Sequence, residues 1–127
     1  TTEIYTLSLH DALPILRFIL LTTLLLQPYL PSLVLIDEPE LGLHPYAINI
    51  LAELFKSTAT RTQLLITTQS VTLLDQFEPQ HIIVVDKIGG QSTFKRLNQS
   101  SIEEWMSDYT LGDLWQKNMF GGRPQSP

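Results

Sequence analysis

Asp37 and Glu38 are the residues best placed to do chemistry in this chain. They come directly after an unbroken aliphatic run, Leu33-Val34-Leu35-Ile36. In open α/β sheets, ligands bind just past the carboxyl ends of the strands. An aspartate there can hold a magnesium ion, usually through water. A neighbouring glutamate, pointing the other way as successive strand residues do, can align or deprotonate a water. The plainer alternative is a strand end whose acids are solvated and lead into the next helix. Other candidates are weaker. His44 precedes Pro45 and has no partner histidine at ligand spacing, so helix entry suits it better than metal binding. His10 and His81 are isolated, Ser8 and Ser70 lack a Gly-x-Ser-x-Gly setting, and Asp86 reads as an ordinary strand end. Trp105 and Trp115 read as packing residues, and Lys95-Arg96 is too small for a nucleic-acid patch.

These acids need a scaffold, and the hydrophobic pattern supplies one. Leu16–Gln27 is apolar nearly all round, which predicts an enclosed helix ended by Pro28 and Pro31. Leu33–Ile36 predicts a strand buried on both faces of a parallel sheet. Pro45 fits a first helical turn, and Ala47, Ile50, Leu51, Leu54 and Phe55 form one buried stripe after it. Gln63–Thr68 predicts a second buried strand, Ser70 caps a short helix to about Phe77, and His81–Asp86 predicts a third strand. Gly89-Gly90 turns the chain so that Ser92–Leu97 returns as an antiparallel edge. Ser101–Glu104 and Thr110–Asp113 are capping-box patterns, with Ile102, Trp105, Met106 and Tyr109 on one face and Leu111, Leu114 and Trp115 on another. Gly121–Pro127 is expected to fray. The fold class is α/β: a parallel sheet with an antiparallel edge hairpin and carboxyl-terminal helices.

Composition narrows the function. The chain has 127 residues, 43% hydrophobic and 17% charged, enough for one domain with a real core and too apolar for general disorder. It has no cysteine, which excludes a disulfide framework and a thiolate metal site and fits a cytoplasmic setting. A net charge of −5 argues against a dedicated DNA-binding face. Ala12–Leu26 is interrupted by Pro14, Arg17, Thr22 and Thr23, and is too short for the roughly 20 clean apolar residues of a membrane span.

The thirteen residues Leu33-Val34-Leu35-Ile36-Asp37-Glu38-Pro39-Glu40-Leu41-Gly42-Leu43-His44-Pro45 resemble the Walker B and D-loop segment of ABC-type ATPases. The Glu-Leu-Gly-Leu-His-Pro tail is most similar to the soluble branch related to RecF, SMC heads and the OLD family. Leu64–Ser70 resembles the switch-loop strand of that branch. The likeness runs from about Leu16 to Pro124 and extends to the broader AAA-type core. By position, it implies that Asp37 serves magnesium and Glu38 is the catalytic base. Leu41, Gly42, Leu43 and His44 would form the D-loop that helps bind nucleotide and meets a second head in a homodimer. Gln69 stands where many relatives have a histidine that senses the γ-phosphate; glutamine can donate a hydrogen bond there but cannot carry a proton. The implied cofactors are ATP and magnesium. The implied biology is DNA repair, DNA maintenance or phage defence, with DNA reached through other regions and no membrane partner.

The resemblance is partial. No glycine in the chain precedes a lysine in a Gly-x-x-x-x-Gly-Lys-Ser/Thr pattern, so the phosphate-cradling P-loop is missing. Relatives carry a Leu-Ser-x-Gly-type signature shortly before a segment like Leu16-Arg17-Phe18. Leu7-Ser8 lies too far upstream and lacks the glycine. Thr2–Ile15 closely resembles the conceptual translation of a sequencing-library adapter, so residues 1–15 are expected to be a non-native, disordered tail. Residues 16–97 are then the carboxyl-terminal part of an ATPase head and 98–127 a helical extension. By itself the chain is expected to be inactive. The alternative is an ATPase-like interaction module whose acids are relics. The ATPase of a membrane transporter fits less well, because it would carry histidine at position 69 and a different D-loop. An OLD-type protein with a downstream nuclease remains compatible.

Overall fold

The computed structural model describes residues 9–98, 100, 102 and 104–122. The chain forms two compact units, residues 1–68 and 69–127. The boundary expected near residue 97 falls inside the second unit.

In the first unit, α1 (Leu9–Leu25) leads to β1 (Leu33–Asp37), α2 (Pro45–Thr58) and β2 (Gln63–Thr67). Helix α1 starts earlier than Leu16, so residues 9–15, expected to be disordered, form its first turns; residues 1–8 lie outside the described residues. Pro14 falls near the helix start, where it removes only one backbone hydrogen bond. The carboxyl end of α1 is closed by Arg61, whose guanidinium donates to the carbonyls of Leu25 at 2.8 Å and Gln27 at 3.1 Å. Helix α2 begins as its sequence requires. Pro45 takes the first turn, and the His44 side chain accepts the Tyr46 N–H at 3.2 Å.

Strands β1 and β2 pair in parallel, with Leu33 beside Gln63 and Asp37 beside Thr67. Paired residues share a face of the sheet. Val34 and Ile36 are buried, whereas Leu35 is 66% exposed and Leu65 is 49% exposed. The sheet is therefore covered on one face, not two. The apolar run predicts burial on both sides, but only the face of Val34 and Ile36 is buried. The expected enclosure of α1 fails for the same reason. Leu25 is fully buried, but Leu16, Ile19, Leu20 and Leu26 are more than half exposed, because α2 is the helix packed on it and covers one side.

The second unit contains α3 (Val71–Leu74), β3 (Ile83–Ile88), β4 (Gln91–Arg96) and α4 (Leu111–Gln116). Ser70 caps α3 by accepting the Leu73 N–H. The helix is shorter than predicted and continues as turns to Phe77. Pro79 starts a single 3₁₀ turn through His81, which delays β3 to Ile83. The hairpin is antiparallel as predicted, with Val85 beside Phe94. It forms a two-stranded sheet, β3–β4. The core of this unit joins Leu74, Val84, Leu97, Ile102, Leu111 and Leu114, with Ile82, Tyr109, Trp115 and Phe120 packed on it. Of the predicted face beginning at Ile102, only Ile102 is buried; Trp105 and Met106 are 46% and 39% exposed. Thr110 and Asp113 make the predicted capping box on α4. The Ser101 box lies outside the described residues.

Candidate functional site

The end of β1 is shaped by the loop that leaves it. Glu38 donates its backbone N–H to the Thr67 carbonyl at 3.0 Å, continuing the ladder one step beyond the strand. At the same residue the backbone turns left-handed, with φ of 41°. That conformation is costly for a residue with a β-carbon, so its surroundings must hold it. The Leu41 N–H then donates to the Glu38 carbonyl at 3.3 Å, and the Leu43 N–H to the Glu40 carbonyl at 2.9 Å. Pro39 between them is buried. The chain therefore leaves the strand in a tight, hydrogen-bonded loop that carries the acids.

Asp37 is exposed and lies beside Thr67 on the open face of the sheet. The Thr67 hydroxyl donates to Asp37 Oδ1, which leaves Oδ2 without a hydrogen bond among the described residues. Glu38 is half-buried. No group of three or more His, Cys, Asp or Glu that could hold a metal occurs among the described residues. A site built on one carboxylate suits magnesium, which keeps several waters and takes its remaining ligands from substrate phosphates.

The residues after the acids form the rest of the loop. Leu41 is exposed, Leu43 is half-buried, and His44 is the exposed cap of α2. Gly42 has φ of 78°, and a β-carbon on it would stand 2.8 Å from Pro14 Cγ, so both conformation and space favour glycine. Gln69 is exposed and immediately precedes the Ser70 cap, as the first residue of the second unit.

Three residues not singled out from the sequence belong to this site: Thr67, Thr68 and Glu40. Thr67 pairs with Asp37, and the Thr68 hydroxyl donates to Glu40 Oε1. Two adjacent hydroxyls ending one strand beside two acids ending its parallel neighbour were the available signal. Asp86 proves to be different. It lies inside β3, half-buried, and its Oδ1 accepts the Gly122 N–H at 2.7 Å. That contact also holds Gly122 within the segment expected to fray, of which residues 123–127 lie outside the described residues. Ser8 and the His10 side chain also lie outside them.

A family model falls on this same region. Residues 15–75 match the family model described as "AAA domain, putative AbiEii toxin, Type IV TA system"; that part of the chain is AAA-domain-like in sequence. No curated protein matches the chain. A solved structure from work on ATP-driven dimerization and DNA-stimulated activation of SMC ATPases aligns with a TM-score of 0.49 and 18% identity. The alignment covers 61% of this chain and 47% of that one, so this chain spans less than half of that protein's length.

Proposed function

We propose that this chain is the carboxyl-terminal part of a P-loop ATPase head, of the soluble RecF/SMC/OLD-like kind, that turns ATP into ADP and phosphate. The observation that carries the reading is the Asp37–Glu38 pair at the carboxyl end of β1, within the AAA-like residues 15–75 and in register with β2. Asp37 Oδ2 fits the role of magnesium holder through a bound water, with Oδ1 fixed by Thr67. Magnesium bound with ATP would offset charge on the transferring phosphate oxygens. Glu38, on the left-handed turn beyond the strand, is the group that accepts a proton from the attacking water. Gln69 orients by donating a hydrogen bond from its amide. Leu41, Gly42, Leu43 and His44 face a second head in a homodimer, and DNA is engaged by regions outside this chain. On this reading the parent works in the cytoplasm, in DNA repair, DNA maintenance or phage defence; the resemblance is what supports it. Residues 1–15 are read as adapter-derived, on the resemblance of Thr2–Ile15 alone.

The test is to recover the sequence upstream of Leu16 from the source reads and to assay the complete head. A P-loop and a Leu-Ser-x-Gly signature leading into Leu16-Arg17-Phe18 are expected. In that head Glu38→Gln should cut turnover by about 100-fold or more. The 127-residue chain alone should show no magnesium-dependent turnover. A complete head whose rate ignores Glu38→Gln would favour the interaction-module alternative.

A further inference from the structure

We infer that Glu40 and Thr68 form a positioning tether that holds Glu38 in its left-handed conformation. The inference rests on the reading of Glu38 as the base. The loop after β1 is fastened to the end of β2 at three successive points. The Thr67 hydroxyl donates to Asp37 Oδ1, the Glu38 N–H donates to the Thr67 carbonyl at 3.0 Å, and the Thr68 hydroxyl donates to Glu40 Oε1. Two of these lie before or at Glu38, and the third lies after it. A left-handed turn at a residue with a β-carbon relaxes unless the chain is held on both sides. The Glu40–Thr68 bond ties the downstream part of the loop to the end of β2 through side chains.

The state of Glu40 makes that bond consequential. Its Oε2 is buried and takes no hydrogen bond among the described residues. Thr68 is therefore the donor on which the carboxylate depends, and removing its hydroxyl leaves a half-buried carboxylate with no donor among the described residues. Because Thr68 also immediately precedes Gln69, the same residue anchors the loop of the acids and starts the segment that carries the switch position.

The experiment is amide hydrogen exchange, read by NMR on the full 127-residue chain. In Thr68→Val the Glu38 amide should exchange about ten-fold faster, the scale of one hydrogen bond's net contribution, while the amides of the β1–β2 ladder keep their rates. Thr68→Ser, which retains the hydroxyl, should restore slow exchange. Glu40→Ala should behave as Thr68→Val does, and gives an independent route if the valine variant does not fold. Glu40→Gln keeps the accepting oxygen and should stay slow. The tether is overturned if Glu38 exchange is unchanged in both Thr68→Val and Glu40→Ala, or if the whole ladder accelerates together. In the complete head, Thr68→Val should lower kcat about ten-fold with little change in KM, the mark of a misaimed group, not lost binding. Failure of the base reading is a separate result: Glu38→Gln would leave turnover intact while the exchange pattern stood.

Discussion

Leu33-Val34-Leu35-Ile36-Asp37 and Ile82-Ile83-Val84-Val85-Asp86 are near copies, each four aliphatic residues closed by an aspartate. Their surroundings send them to different ends. After Asp37 the backbone turns left-handed at once, and the carboxylate stays exposed with one oxygen fixed by a threonine hydroxyl. After Asp86 the strand runs on to Ile88, and the carboxylate is half-buried against the Gly122 N–H. The first aspartate is presented and the second is consumed. Each carboxylate accepts one hydrogen bond from its own chain, so what separates the two is how far each is exposed. The strand-end pattern they share does not decide it.

Substitutions can break or sharpen that contrast. The largest effect should come from turnover in the complete head. Glu38→Gln should remove about 100-fold or more, whereas Asp86→Asn should stay within about two-fold, since it touches only a structural contact; equal losses would erase the distinction. Stability should rank the two aspartates the other way. Asp86→Ala strips a partly buried N–H of a charged acceptor and should cost about 1.5–3 kcal/mol in urea denaturation. Asp37→Ala, at an exposed position, should fall within about 0.5 kcal/mol. Backbone strain gives a smaller effect of opposite sign. Glu38→Gly should add about 1 kcal/mol of stability and raise the urea midpoint, because glycine adopts φ of 41° without penalty.

The smallest effect concerns Asp113. The Thr110 backbone N–H, then the Thr110 hydroxyl and the Lys117 charge hold its carboxyl below the ordinary 3.8. A lowered folded value stabilises α4 fully above about 3.8, and that contribution is lost as pH falls through the folded value. An NMR titration of Asp113 should show the depressed value, and Thr110→Ala, which removes the hydroxyl but keeps the backbone N–H, should raise it only part of the way. A value at or above the ordinary one in the native chain would contradict the capping box.

Much of this was legible in the sequence because it is set by neighbours a few residues apart. The Ser70 and Thr110 caps, the proline start of α2 and the glycine turn between β3 and β4 depend on side chains reaching their own backbone or on local backbone freedom, and all formed as expected. The Asp37–Glu38 pair could be found the same way, from an aliphatic run that stops. His81 left the third strand because a proline two residues earlier started a 3₁₀ turn, a local competition the pattern of apolar residues does not register.

Burial could not be read from the sequence in the same way. An apolar segment says that it prefers to be covered, but not whether a covering element is present. Leu35 and the outer side of α1 are apolar and exposed. Nor could the sequence state which donor meets which acid. Thr67–Asp37, Thr68–Glu40 and Gly122–Asp86 join residues 30, 28 and 36 positions apart. The sequence by itself determined the acids, the strand that presents them and the caps, since these depend on spacing along one chain. The tertiary structure decided how far each carboxylate is exposed and which donor it meets, because that depends on strand register and on the packing of distant segments.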